Sequence, residues 1–265
     1  ALGSLLTEGE RQALRRPETS PQTYEYFLRG RQLLNQLQGQ ALVMAKQMFG
    51  QAIAIDPRYA PAYAGLADVH AWLYNWWGGS DADYEAADRA SLKALELAPD
   101  LSEAHASRGF VLTIARKYDE ADHEFSEAIR LNPLSYEAHY LYARMCFESG
   151  RIERSAELFG RAAEVRQEDF QSLLLQAQSL EMLGRTEETR AATREGIGRA
   201  VRRLELDPAD VRALSFGASA LYRDGQHDRA WQWCDRALQL NPDDAVVIIS
   251  AACLCAKAGR KEEML

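Results

Sequence analysis

The stretch EAIRLNPLS (residues 127–135) decides the fold, because near copies of it recur along the chain. The copies are QAIAIDPRY (51–59), KALELAPDL (93–101), RRLELDPAD (202–210) and RALQLNPDD (236–244). Each reads as the last turns of a helix stopped by a proline, which lacks a backbone donor and disfavours helical geometry in the residue before it. Pro57, Pro99, Pro133, Pro208 and Pro242 lie 42, 34, 75 and 34 residues apart. The gap of 75 divides into 34 and 41 at AAEVRQEDF (162–170), where Gln167 stands in the proline's place. The period is therefore 34, with one insertion of eight residues and one of seven. A fixed period of this length is the mark of a repeat architecture built from one supersecondary unit.

Working outward from Pro133, the same unit carries His105, Arg108-Gly109 and Leu112 on a first helix, then Ala121, Phe125 and Ala128 on a second. The next unit gives His139, Tyr142-Ala143, Cys146, Ser155, Phe159, Ala162 and Gln167 in phase. Residues 209–242 give Leu214, Gly217-Ala218, Leu221, Ala230, Cys234, Ala237 and Pro242. Small residues let paired helices approach, and a Phe or Leu fills the space between them. Gly150, Gly184, Gly225 and Gly259 recur at the turn between the two helices, where a left-handed conformation is expected. The 34-residue helix–turn–helix pattern resembles the tetratricopeptide repeat family. The resemblance covers roughly residues 24 to 265 and implies an all-α fold, a right-handed superhelical solenoid of antiparallel helix pairs.

The expected organisation is an N-terminal extension or linker over 1–23, then repeats over 24–57, 58–99, 100–133, 134–167, 168–208 and 209–242, and a partial seventh over 243–265. The second repeat holds a Trp-rich insertion. The fifth has a long second helix running through TREGIGRAVRRLEL (193–206). AGRKEEML (258–265) parallels ESGRIERSAELF (148–159) and stops as a second helix begins, so a longer parent protein or an exposed sticky end is expected. A second resemblance lies in LTEGERQALRRPETSPQTYEYFLRGRQLLNQ (6–36) and AKQMFGQAIAIDPRYAPAYAGLADVHAWL (45–73). These segments are similar to the repeat regions of bacterial signalling proteins in which the repeats follow a TolB-like domain and, upstream, an adenylate cyclase, a winged-helix regulator or a kinase. None of those output domains is in the sequence.

The 265 residues carry a net charge of −8, with 47% hydrophobic and 26% charged residues, as in an ordinary folded domain. The acidity argues against nucleic acid and anionic lipid as partners. The longest apolar run, AVVIISAACLCA (245–256), suits a buried helix and is too short to span a bilayer. Cys146, Cys234, Cys253 and Cys255 read as reduced thiols of a cytoplasmic protein. A periplasmic location would follow if the parent has a membrane span upstream. Cys146 and Cys255 share a first-helix position, and Cys234 takes the second-helix Phe position.

Catalytic chemistry is not expected. His105 and His139 share one repeat position, the histidines and cysteines lack zinc-site spacing, and Gly196-Ile197-Gly198 follows no strand. No cofactor and no metal are expected. The arginines from Arg185 to Arg203 alternate with Glu187, Glu188, Glu195 and Glu205 and read as a solvated helix face. The resemblance implies protein–protein interaction on a concave surface lined by first helices. Carried over by phase, it selects Asp68, Trp72, Phe110, Tyr140, Arg144, Phe147, Gln178, Arg212, Tyr222 and Arg223 as partner-binding residues. Aromatic and arginine side chains in a groove suit an extended peptide or a helix. The Lys, Asn and Arg positions used by repeats that clamp chaperone tails are not matched. The cluster Trp72, Trp76 and Trp77 in VHAWLYNWWGGSDAD (69–83) has two readings: it closes the solenoid's N-terminal part, or it forms a lip for a partner or a second copy. Homo-oligomerisation through that turn or through the final helix is the alternative function, and a small-molecule sensor is a third reading.

Overall fold

A computed structural model describes residues 19–259. The N-terminal extension up to residue 18 and the expected second helix of the last repeat (260–265) lie outside the described residues. Thirteen α-helices make up the described chain: α1 (Pro21–Leu34), α2 (Gly39–Ile55), α3 (Ala60–Trp76), α4 (Asp81–Leu97), α5 (Ser102–Ile114), α6 (Tyr118–Leu131), α7 (Tyr136–Glu148), α8 (Ile152–Val165), α9 (Gln171–Met182), α10 (Thr186–Leu206), α11 (Val211–Arg223), α12 (His227–Leu240) and α13 (Ala245–Ala258). Each odd-numbered helix from α1 to α11 packs against the even-numbered helix that follows it. Odd-numbered helices also pack on one another in succession from α1 to α7, and again from α9 to α13, so they form one layer of a solenoid.

The helix pairs are held close by rings seated on residues without bulk. Phe49 of α2 is fully buried and lies over both Gly30 of α1 and Gly65 of α3; a Cβ at those glycines would stand 2.7 and 2.4 Å from the ring. Phe125 of α6 does the same over Gly109 of α5, at 2.9 Å. In the α11–α12 pair the ring over Gly217 belongs to Trp233, while its neighbour Cys234, at the position expected to replace Phe, is buried beside Ala218 and Leu254. Burial pushes the thiols of Cys146 and Cys234 up to about 11, so they behave as small apolar groups.

The ends of the helices repeat as well. Gly150, Gly184, Gly225 and Gly259 have φ of 78°, 71°, 82° and 72°, and Arg116 occupies the equivalent turn at 59°. Six residues after the proline, the same position donates to the proline carbonyl in three successive repeats. Tyr63 Oη reaches Pro57 O at 3.3 Å, His105 Nε2 reaches Pro99 O at 2.8 Å, and His139 Nε2 reaches Pro133 O at 2.9 Å. This hydrogen bond ties each first helix to the turn that precedes it.

The tryptophans turn inward. Trp72 is 7% exposed and its ring centroid is 4.8 Å from that of Phe110. Trp76 packs against the same core, and Trp77 lies over Gly39 at the start of α2. Ser80 and Asp83 form a capping box that starts α4, and Asp83 also pairs with His70 at 2.8 Å.

Helix α10 runs for 21 residues; Arg185, which precedes it, pairs with Glu188 and Arg190 with Glu187 on the exposed face, while Arg203 pairs with the partly buried Asp210. Arg199 differs. It is 10% exposed, and its Nη1 lies 3.0, 3.2 and 3.1 Å from the carbonyls of Ala163, Arg166 and Asp169. It therefore satisfies the end of α8 and the turn in which Gln167 replaces proline. Removing such a charged donor leaves buried carbonyls unpaired, so Arg199→Ala is expected to lower unfolding free energy by about 2–3 kcal/mol in a urea titration, whereas Arg190→Ala leaves it nearly unchanged.

Candidate functional site

A cleft of about 840 Å³ opens on the layer of odd-numbered helices, bounded by α1, α3, α7, α11 and the α8–α9 turn. Its aromatic wall is Trp72, Tyr136, Tyr140 and Phe170. Its far side is formed by the start of α11 and the turn before it, with Ala209, Asp210 and Arg212.

Two polar networks shape it. In the first, Glu137 of α7 accepts from Arg31 of α1 and from Arg166 of the α8–α9 turn, each at 3.1 Å. The Arg166 guanidinium also lies 3.6 Å from the centroid of the Tyr136 ring, a cation–π contact. Burial holds the Tyr136 phenol well above its ordinary value, so it stays neutral. In the second, Gln171 at the start of α9 donates to Tyr140 Oη at 2.7 Å and accepts from Arg212 of α11. Arg212 Nη1 also points to the carbonyl of Leu37, 175 residues earlier, at 3.5 Å. The coil has closed far enough for α11 to meet the α1–α2 turn, where Leu37 has φ of 48°. Asp169 starts α9 by accepting from the amides of Gln171 and Ser172, and Asp210 starts α11 through Ala213 N.

Asp68, Trp72, Tyr140 and Arg212, four of the positions selected by phase, line this cleft. Phe110 lies behind Trp72 and is 5% exposed. Arg144 stands 5.3 Å from the ring centroids of both Trp72 and Trp76 and tethers α7 to α3. Phe147 is half-buried near the end of α7, and Gln178 is exposed on α9. Arg223 pairs with Glu181 at 2.9 Å, and the Tyr222 ring centroid lies 4.3 Å from that of His227 with the two rings tilted by 57°, both at the far end of α11. Tyr140 is 4% exposed and packs on Tyr136 and Phe159, so truncating it would disturb the core as well as the cleft. Phase reasoning missed Arg31, Tyr136, Glu137, Arg166 and Gln171. Arg31 stood in the Arg29-Gly30-Arg31 motif, but nothing in a helical period points to turn residues 166–171.

The carboxyl of Asp68 is pushed up to about 7, chiefly by burial; the Ser107 hydroxyl and Arg31 pull it down, and Glu137 and Glu103 raise it. Its Oδ1 is buried without a hydrogen-bond partner. The folded value lies above the ordinary 3.8, so the folded state retains a proton that the unfolded chain releases. The penalty for ionising Asp68 therefore grows as pH rises from about 4 through about 7. Comparing urea unfolding at pH 5 and pH 8, we expect Asp68→Asn to gain about 1–2 kcal/mol over the wild type at the higher pH; parallel pH profiles would refute the assignment.

Among the described residues, no group of three or more His, Cys, Asp or Glu side chains could hold a metal ion, and no helix is long and apolar enough to cross a membrane. A family model described as tetratricopeptide repeat matches residues 115–166, 147–200 and 190–245. A protein of Rhizobium meliloti (strain 1021) that bears the name adenylate cyclase 3 is 27% identical over 126 residues, covering 46% of this chain and 22% of that protein. The transcriptional regulator HilA of Salmonella typhimurium is 26% identical over 133 residues, 49% of this chain and 24% of the regulator. The chain thus spans less than a quarter of the length of these curated relatives. Among solved structures, PilF of Pseudomonas aeruginosa matches 89% of this chain and 97% of its own at 18% identity, with a TM-score of 0.56, which is a likeness of fold. The repeated helix pairs, the glycine turns and the matched family model together show that this chain contains tetratricopeptide repeats.

Proposed function

We propose that the protein is a non-catalytic interaction module that holds an extended segment of a protein partner in the cleft between α1, α3, α7 and α11. The observation that carries this reading is the cleft itself: about 840 Å³, walled by aromatic rings and fringed by guanidinium and carboxylate groups. That volume lies at the upper end of the range for small-molecule pockets and suits several side chains of a peptide. Aromatic burial would supply affinity, and the Arg31, Arg166 and Arg212 networks would fix direction by hydrogen bonds. The similarity to proteins named as an adenylate cyclase and a transcriptional regulator favours a place in a larger bacterial signalling protein, with the repeats acting as its scaffold or sensory part. A cytoplasmic location fits the four free cysteines, and a periplasmic one fits a parent with a membrane span.

The test fills the cleft from its rim, leaving buried Tyr140 alone. Gln32 and Ala209 are exposed and line it. Gln32→Trp together with Ala209→Trp is expected to abolish retention of partners from a bacterial lysate, read by mass spectrometry, with the melting temperature within a few degrees of wild type. Undiminished retention would remove the cleft from consideration.

A second reading, self-association, has its own observation. Ile248 and Ile249 on α13 are 47% and 48% exposed, and Leu240 nearby is 46% exposed. Self-association through this face predicts a mass that rises with concentration in light scattering and falls back to the monomer on Ile248→Glu. A monomer throughout the concentration range would dismiss it.

A further inference from the structure

We infer that the cleft selects partner segments bearing a cationic side chain, lysine or arginine, whose head group seats on Asp68. The inference deepens the cleft reading above and rests on it. Six carboxylates line the cleft against four guanidinium groups, in a chain whose net charge is −8, so a cationic guest is favoured over an anionic one. Glu168 is exposed to solvent, and four of the other carboxylates already have partners. Asp207 accepts from Ala209 N at 3.2 Å and lies 3.6 Å from Arg203. Glu137 is held by Arg31 and Arg166, Asp169 caps α9, and Asp210 caps α11 while pairing with Arg203 at 2.6 Å.

Asp68 is different. It lines the same cleft, its Oδ1 is buried without a hydrogen-bond partner, and among the described residues no cation forms an ion pair with it. Arg31, whose charge reaches it, is bonded to Glu137 instead. A buried carboxylate left in this state is costly, and a hydrogen-bonded ammonium or guanidinium from outside removes the cost. The surroundings suit the rest of such a side chain. Trp72 follows Asp68 by one helical turn, and Tyr136 and Tyr140 line the same aromatic wall, so the methylene stem of a Lys or Arg would lie on aromatic side chains with its head on the acid. A carboxylate-terminated segment would meet Asp68 with like charge.

Selection of phage-displayed random linear peptides on the full chain tests this, with the best binders resynthesised with blocked termini. We expect the selected sequences to be enriched in Lys or Arg. Replacing the shared basic residue by norleucine should weaken binding about tenfold or more, as should Asp68→Asn in the protein. Asp68→Asn is expected to be the more stable protein at pH 8, so a loss of binding there is not unfolding. Peptides that bind the cleft with equal affinity to wild type and Asp68→Asn would overturn the inference and leave the cleft reading intact. Selection of acidic or purely apolar sequences would overturn it in the same way. No selected peptide, or peptides indifferent to the Gln32→Trp, Ala209→Trp protein, would overturn both.

Discussion

The structure depends on how closely two helices can approach within a pair. A glycine on the first helix lets an aromatic ring from the second rest directly on backbone, as Phe49 does on Gly30 and Gly65 and Phe125 on Gly109. Interiors at this packing density tolerate little change in shape, so the distance between helices becomes a fixed quantity. When it is the same from pair to pair, the pairs stack with a constant offset and a solenoid results. The hydrogen bonds from Tyr63, His105 and His139 to the preceding proline carbonyls keep that offset at successive junctions.

Where the pattern lapses, other groups compensate. The α8–α9 turn has Gln167 where proline is expected, and Arg199 reaches across from α10 to hold three carbonyls there. The next inner helix, α9, packs on α8 and on its own partner α10 rather than closely on the preceding inner helix α7. The cleft lies beside this lapse, and Phe170, Gln171 and Arg166 from the same turn line it. The irregular junction that weakens the repeat thus also shapes the candidate site. The coil then brings Arg212 to Leu37, so residues from opposite ends of the described chain border one space.

Electrostatics within that space are uneven. Most charged groups are neutralised locally, in the Arg31–Glu137–Arg166 bridge and at the caps of α9 and α11. Glu168 faces solvent, and Asp68 is the buried exception, a carboxylate pushed up by burial and without an ion pair among the described residues. Paired groups define the shape of the cleft, and the unpaired one gives it a chemical preference. Trp72 lines the cleft while its ring packs on Phe110 and lies against the Arg144 guanidinium.

The sequence by itself determined the helix–turn–helix period, the glycine turns and the fold class, because these rest on local rules. Proline stops a helix, glycine accepts positive φ, and small residues in phase permit close packing. It also pointed to Asp68, Trp72, Tyr140 and Arg212, because one helical face recurs at fixed spacing. Tertiary structure alone decided that these four meet in one cleft while Gln178 and Arg223 lie elsewhere, that Arg199 is a buried cap within a run of exposed arginines, and that Trp233 rather than Cys234 covers Gly217. The reason is physical. A period states which face a residue occupies, but which faces meet is set by the cumulative rotation of one pair on the next. Small changes at each junction, such as the turn at 166–169, add up over the length of the coil.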